Sequence, residues 1–408
     1  MTLKLGFGKK ALPSPVGTEL CGYGYFINRV CTEVLDTLHV RCIALSSGDV
    51  KSLVLSADLI GLSAQLHEEI RRLIADKLGY AGKEVMVVCT HTHTGPSTYY
   101  LAGGGAMNEE YNRQVPPVFL AAAEAAVADL TPCEGMEECC QSVEEIAYNR
   151  NIPDGPHDNM MRGLVVKRSG KASVAIVSYP CHPVTLGPRP QASADYPGAV
   201  CRKCEARGLE AIFLTGACGD INPLINRIKW GSGTPETVEQ YTKVLFKGFF
   251  DGLHKTDDMD LDNMEFDATV KLRSLDEKEI DEIVKLGSFE VVAKAWGYSM
   301  LRRLPIKDDH VMVRAIKIGP MVFCSFPFET FTIVGNIVRE TYPGKNIVVL
   351  GCADQMHSYL PIITPELQNS YPVIAAAQAY AYPVIAVGAA EYVAKQIADG
   401  IAQWETVG

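Results

Sequence analysis

Short runs rich in Val and Ile alternate along the chain with stretches whose apolar residues recur every three or four positions. The short runs predict strands over residues 40–46, 52–59, 85–89, 163–166 and 172–178. Residues 65–77 predict a helix, with Leu66, Ile70, Leu73 and Ile74 as its apolar stripe and Glu68, Glu69, Arg71 and Arg72 as its wet face. An Ala-rich helix is expected over 118–129, closed by Thr131 and Pro132. A strand pair is expected over 311–318 and 322–325 around Gly319 and Pro320, followed by helices over 332–340 and 389–404. This interleaving is that of an α/β protein with mixed β-sheets flanked by helices. Charge is dense between residues 256 and 303, and this stretch is expected to be a helical insertion or lid within a single domain spanning 1–408.

Composition removes several alternatives. With 47% hydrophobic and 21% charged residues among 408, wholesale disorder is excluded. No apolar run approaches the roughly 18–20 residues that span a bilayer, and residues 1–11 carry lysines without the apolar core of a secretory signal. A soluble, cytoplasmic protein is expected. Thirty-eight basic against 48 acidic residues, a net charge of −10, argue against nucleic acid as a partner. Thirteen scattered cysteines predict free thiols rather than a disulfide framework. The single CxxC, Cys201 to Cys204, lacks the second pair of a zinc finger.

The candidate chemistry sits at strand ends. His91 and His93 follow the apolar run 85–89 directly, and alternation there would turn both to one side before Gly95 and Pro96 force a turn. Two such imidazoles can share a metal, or one can bind it while the other moves protons. His182 follows the strand over 172–178 and is held extended between Pro180 and Pro183. Asp195 is the expected N-cap of a helix. Gly216 and Gly219 lead a strand out into Asp220 and Asn222, without the Gly-Lys-Ser/Thr of a phosphate loop. Glu329, among Phe326, Phe328 and Phe331, has little water around it and needs a partner, either a cation or the dipole of the helix that follows. Tyr359, His357 and Tyr371 lie in a Pro-rich stretch.

Taken in order, these segments resemble the neutral/alkaline (non-lysosomal) ceramidase family over most of the chain. Similar to the family are Gly-x-Gly at 6–8, Pro-x-Gly at 15–17, Gly-Tyr-Gly at 22–24, and the His-Thr-His segment at 91–96, with Thr94 in place of serine. Asn149-Arg150, the His-Pro-x-Thr at 182–185, the Gly-Asp segment at 219–223, the Pro-x-Glu segment at 327–331 and Tyr359 before Thr364-Pro365-Glu366 complete the series. The resemblance implies a neutral-ceramidase-like catalytic domain, here without the family's C-terminal β-sandwich. It also implies a Zn2+ ion held by His91, His182, Glu329 and Tyr359, with His93 in proton transfer and oxyanion stabilisation and with Arg150 and Tyr371 around the scissile bond. The expected activity is zinc-dependent cleavage of a linear amide in a small-molecule or lipid-like N-acyl substrate. A metal-dependent esterase or lactonase, and a non-catalytic metal- or sugar-binding protein, are the alternatives.

Overall fold

Strand alternation decides how the layers stack. In the strand His39–Ser47, Val40, Cys42 and Ala44 turn toward helices, while Ile43 and Leu45 turn the other way. The neighbouring strand Val85–Cys89 does the same, with Val85, Val87 and Cys89 on the helix side and Met86 and Val88 opposite. Strands buried on both faces must be covered on both faces, and here a second sheet supplies the other cover. The computed structural model describes residues 2–143 and 146–407, the side chains of 405–407 apart. It has four layers: helices, a nine-stranded mixed sheet, a four-stranded mixed sheet, and helices again.

The large sheet runs in the order Glu210–Thr215, Lys171–Tyr179, Met160–Arg168, Thr131–Ser142, Lys4–Ala11, His39–Ser47, Val50–Ala57 and Val85–Cys89, with Leu253–Thr256 added to Thr131–Ser142. Its end pairs are parallel and the strands between are antiparallel. The small sheet, Leu261–Val270, Asp309–Ile318, Met321–Ser325 and Asn346–Leu350, ends in a parallel pair as well. Apolar residues of both sheets, among them Leu45, Met86, Ile176 and Leu214 against Ile316, Phe323 and Leu350, form one shared core. Ala64–Leu78 and Glu109–Ala128 cover the outer face of the large sheet at one end, and the outer face of the small sheet packs against Thr332–Thr341 and Ala389–Val407.

Two stretches differ from expectation. The Ala-rich helix starts at Glu109, nine residues early, with Asn108 Oδ1 accepting the Tyr111 N–H at 2.9 Å as its cap. Pro116 and Pro117, which suggest a start after them, lie inside it; burial of Tyr111, Val115 and Phe119 on one face carries the helix through. Residues 256–303 are not helical throughout: Leu261–Val270 is a strand of the small sheet, and the helices Glu277–Lys285 and Glu290–Leu301 follow it. Among the described residues no helix is long and apolar enough to cross a membrane. All thirteen cysteines are free thiols.

Asp354 ties the layers together behind the segment 326–331. Its carboxylate accepts from Arg314 Nη1 at 2.7 Å and Ser325 Oγ at 3.3 Å, and meets His67 Nε2 at 3.2 Å. Burial alone would push its carboxyl up, but the His67 hydrogen bond and the charges of Arg314, His67 and Arg71 outweigh that and hold it well below the ordinary carboxylate range. A carboxyl depressed in the folded state contributes stability that is complete above its unfolded pKa, about 3.9, and is lost as pH falls through the folded value. Asp354→Asn is expected to lower stability at pH 7 by roughly 3 kcal/mol, because it removes the closer and more buried of the two carboxylates that face the Arg314 guanidinium. Denaturant titrations should show a smaller loss of stability on acidification for the variant than for the parent.

Candidate metal centre

Four strands of the two sheets run out at one edge. Val85–Cys89 and Lys171–Tyr179 lead into His91 and His182, and Met321–Ser325 and Asn346–Leu350 lead into Glu329 and Tyr359. The sheets are stitched together there: the Cys89 N–H donates to the Cys352 carbonyl at 3.0 Å, and Gly216 bridges to Leu350. Loops beyond the C-terminal ends of parallel strands are where α/β folds place their sites.

His91 does not lie on a strand. The chain leaves the strand at Cys89, and His91 adopts a left-handed backbone with φ of 66°. The His91 and His93 rings meet edge to face at 4.9 Å because of this turn, and not by strand alternation as the sequence suggests. The turn is held by the N–H groups of Thr90 and His91, which donate to Ala57 and Leu59 carbonyls at 2.8 and 2.9 Å. Strained conformations of this kind persist only where their surroundings enforce them. Asp195 also departs from expectation. It is the first helical residue rather than the cap, with φ of 52°, and its carboxylate accepts the Leu186 N–H at 2.9 Å and the Tyr196 N–H at 2.6 Å.

The hydrogen bonds of the three buried histidines assign their ring protons. His91 Nδ1 is 2.6 Å from the Ile60 carbonyl and His182 Nδ1 is 2.6 Å from the Cys218 carbonyl, so each Nδ1 donates and each Nε2 presents a lone pair. His93 is the reverse: its Nδ1 accepts the Tyr23 N–H at 3.2 Å, which leaves the proton on Nε2. Glu329 Oε2 lies 3.2 Å from His91 Nε2 and 3.0 Å from His182 Nε2. Ligands about 2.0–2.1 Å from a tetrahedral metal stand about 3.3 Å from one another. Two ring nitrogens and a carboxylate oxygen at that spacing and out of water fit a shared cation, which would take the place of any proton between them. His91, His93 and His182 together form a group able to hold a metal ion.

Glu329 and Tyr359 are set side by side by a two-residue parallel ladder, Glu329–Thr330 with Tyr359–Leu360. Beneath it Gly219 is required by close approach: a Cβ there would lie 2.4 Å from the Glu329 carbonyl oxygen. Arg150 Nη2 donates to the Tyr359 hydroxyl at 2.8 Å and to the Gly219 carbonyl at 2.9 Å, and Nη1 reaches Asn222 Oδ1 at 3.4 Å. Tyr371 shares a hydrogen bond with Tyr25, its ring 5.9 Å from that of Tyr359. These groups surround a cavity of about 500 Å3, lined by His93, Arg150, Glu329, Tyr359 and Tyr371 among others. His91 and His182, fully buried, lie beside Glu329 at its floor without lining the cavity themselves.

Electrostatics follow from burial and crowding. Burial would raise the Glu329 carboxyl, but the two imidazoles beside it hold it well below the usual range. His182 is disfavoured as a cation by burial and by Arg150, yet Cys218 and Glu329 outweigh both and raise it to about 9. His93 is pushed well below the ordinary histidine value, first by burial and then by His91 and His182, so it is neutral.

Two site residues, Tyr380 and Arg29, have no sequence reading behind them, and the partners of Gly22 and Asp220 emerge only in the fold. Tyr380 donates its hydroxyl to Glu329 Oε1. Arg29 Nη2 donates to the carbonyls of Cys21 and His93 at 2.8 and 2.7 Å, stapling the Gly-Tyr-Gly loop against His93. Gly22 in that loop has φ of 96°, and a Cβ there would lie 2.6 Å from the His93 ring, so the loop can approach only as glycine. Asp220 holds Asn149 Nδ2 and the Thr332 N–H, each at 2.8 Å, which ties the Arg150 segment to the helix after Glu329. The Gly-Tyr-Gly triplet and the Asn149-Arg150 pair are the signals that point to these neighbours.

No family model and no curated protein matches the chain. Solved structures do match in fold. Neutral ceramidase from Pseudomonas aeruginosa superposes with a TM-score of 0.70 at 17% identity, over 95% of this chain and 76% of that one. A structure described as ceramidase complexed with C2 superposes with a TM-score of 0.75 at 15% identity, over 100% of this chain and 76% of that one. The chain has the fold of the neutral ceramidase catalytic domain.

Proposed function

We propose that this protein is a zinc-dependent hydrolase that cleaves a linear amide, the metal held by His91, His182, Glu329 and Tyr359. The observation that carries the reading is a buried carboxylate oxygen 3.2 and 3.0 Å from the Nε2 atoms of two imidazoles whose Nδ1 atoms are held by backbone carbonyls. Imidazole with carboxylate suits zinc. Such an ion lowers the pKa of bound water toward neutrality and polarises a carbonyl.

The chain's own groups do the rest. Nε2–H of His93, 3.3 Å from His91 Nε2 beside the proposed metal position, would be a neutral donor to the oxygen that gains charge as the carbonyl is attacked. With Nδ1 occupied by Tyr23, His93 serves as a donor more readily than as a base. Arg150 orients the Tyr359 phenol, and Tyr371 stands over the same cavity as a second hydroxyl. The proton gained by the leaving nitrogen is the one the attacking water gives up. The small sheet's aromatic residues, Phe326 and Phe328 stacked 5.3 Å apart, keep the back of Glu329 dry.

Metal analysis of the purified protein should find about one zinc per chain, and matched panels of N-acyl amides and O-acyl esters should show amide turnover that chelation abolishes. A protein without bound metal, or one that turns over only the esters, would overturn the reading.

A further inference from the structure

Rings dominate the wall of the cavity. Among the described residues that line it, six are tyrosines and one is Trp230, against two aliphatic side chains, Ile60 and Leu101. Such a wall offers a ligand flat π-faces and little plain alkyl surface. Trp230 differs from the chain's other two tryptophans. Trp296 is buried, with its indole N–H on the Tyr382 carbonyl at 2.8 Å, and the indole N–H of Trp404 donates to Asp262 Oδ2 at 2.7 Å. Trp230 keeps 47% of its surface exposed where the cavity opens. Its place is fixed all the same. Asn226 donates to the Val184 carbonyl at 3.0 Å and accepts the Gly231 N–H at 3.1 Å, which clamps the backbone beside the indole. The Tyr23 ring lies 5.8 Å from it, tilted by 58°, and Tyr23 is anchored in turn: its hydroxyl accepts the Gly187 N–H at 2.9 Å, and the Arg29 guanidinium sits 5.1 Å over its ring. A single exposed aromatic on an outer surface needs no explanation. One held in a fixed position at a cavity presents a stacking face whose ordering has already been met by the fold.

We infer that Trp230 is a specificity residue that stacks on an aromatic ring of the substrate. The inference rests on the amidase reading above and narrows it: the substrate is an aryl amide, with its ring within a few bonds of the scissile bond on the amine or the acyl side. A saturated ring of the same size separates stacking from simple burial. Cyclohexyl offers at least as much apolar area as phenyl but no π-face, so burial alone predicts equal treatment or the reverse order.

Two matched pairs test this. On the amine side, N-benzylacetamide is compared with N-(cyclohexylmethyl)acetamide; on the acyl side, the N-methyl amide of phenylacetic acid is compared with that of cyclohexylacetic acid. In one pair at least, the parent protein should favour the phenyl compound by about 3–10-fold in kcat/KM. Trp230→Leu, apolar but without a ring, should collapse that preference to within about twofold, with metal content and thermal midpoint unchanged. Trp230→Phe keeps a π-face and should retain it. Calorimetric affinities for the same four compounds read the same ratio without turnover. Preferential binding of the phenyl compound by a protein that hydrolyses none of them would remove the amidase reading and keep the stacking site. Equal treatment of both members of both pairs by the parent, a preference for cyclohexyl, binding of none of the four, or an unchanged preference in Trp230→Leu would overturn the inference.

Discussion

Glu329→Ala is expected to abolish both metal retention and turnover, with kcat/KM falling at least about 10⁴-fold, the scale seen when an indispensable catalytic group is removed. The carboxylate is an anion buried beside both rings, 3.0 and 3.2 Å from the Nε2 atoms of His182 and His91. Without it, two neutral imidazoles and a phenol would face a dication alone, and Tyr380 would lose the acceptor of its buried hydroxyl. Metal content by elemental analysis should fall below about 0.1 per chain under conditions that leave the parent loaded, and Glu329→Gln, neutral but of the same shape, should fail nearly as badly. A variant that keeps its metal and half its activity would remove Glu329 from the ligand set.

His93→Ala should behave in the opposite way with respect to the ion. Its Nε2 carries a proton because Nδ1 accepts from Tyr23, so it contributes a donor and no lone pair to the floor. The expected loss is about 10²–10³ in kcat, the effect of deleting one donor to a developing oxyanion, with KM and metal content little changed. His93→Gln can return an N–H to the same region and should recover part of the loss. Loss of metal in His93→Ala would instead make this ring a ligand and reassign the floor to the three histidines.

The strands and most helices were readable because alternation and the 3.6-residue period report burial directly, and both sheets bury both of their faces. What could not be read lies where packing overrides local preference. The helix expected from 118 begins at Glu109, and the buried face of Tyr111 and Phe119 carries it through Pro116 and Pro117. His91 and His93 were placed correctly beyond a strand end, yet the geometry that joins their rings is a left-handed turn held by carbonyls more than thirty residues upstream. Tyr380 carried no signal at all. It follows a π-helical turn, Tyr371–Ala375, and a four-residue helix, Ala376–Ala379, in an Ala-rich stretch without a readable period.

The groups at the floor come from both sheets: two imidazoles from the nine-stranded one, and the carboxylate and phenol from the four-stranded one. Ion-binding motifs of the kind in which neighbouring residues clasp a cation can capture it while the rest of the chain is still unfolded. Positions 91, 182, 329 and 359 have no such shortcut, because the pair from one sheet meets the pair from the other only when the two sheets have docked. With the proposed ligand set, loading would be the last event of refolding rather than its seed: added zinc should leave the early collapse phase untouched and slow only the first unfolding step, fastening one layer to the other after both are in place.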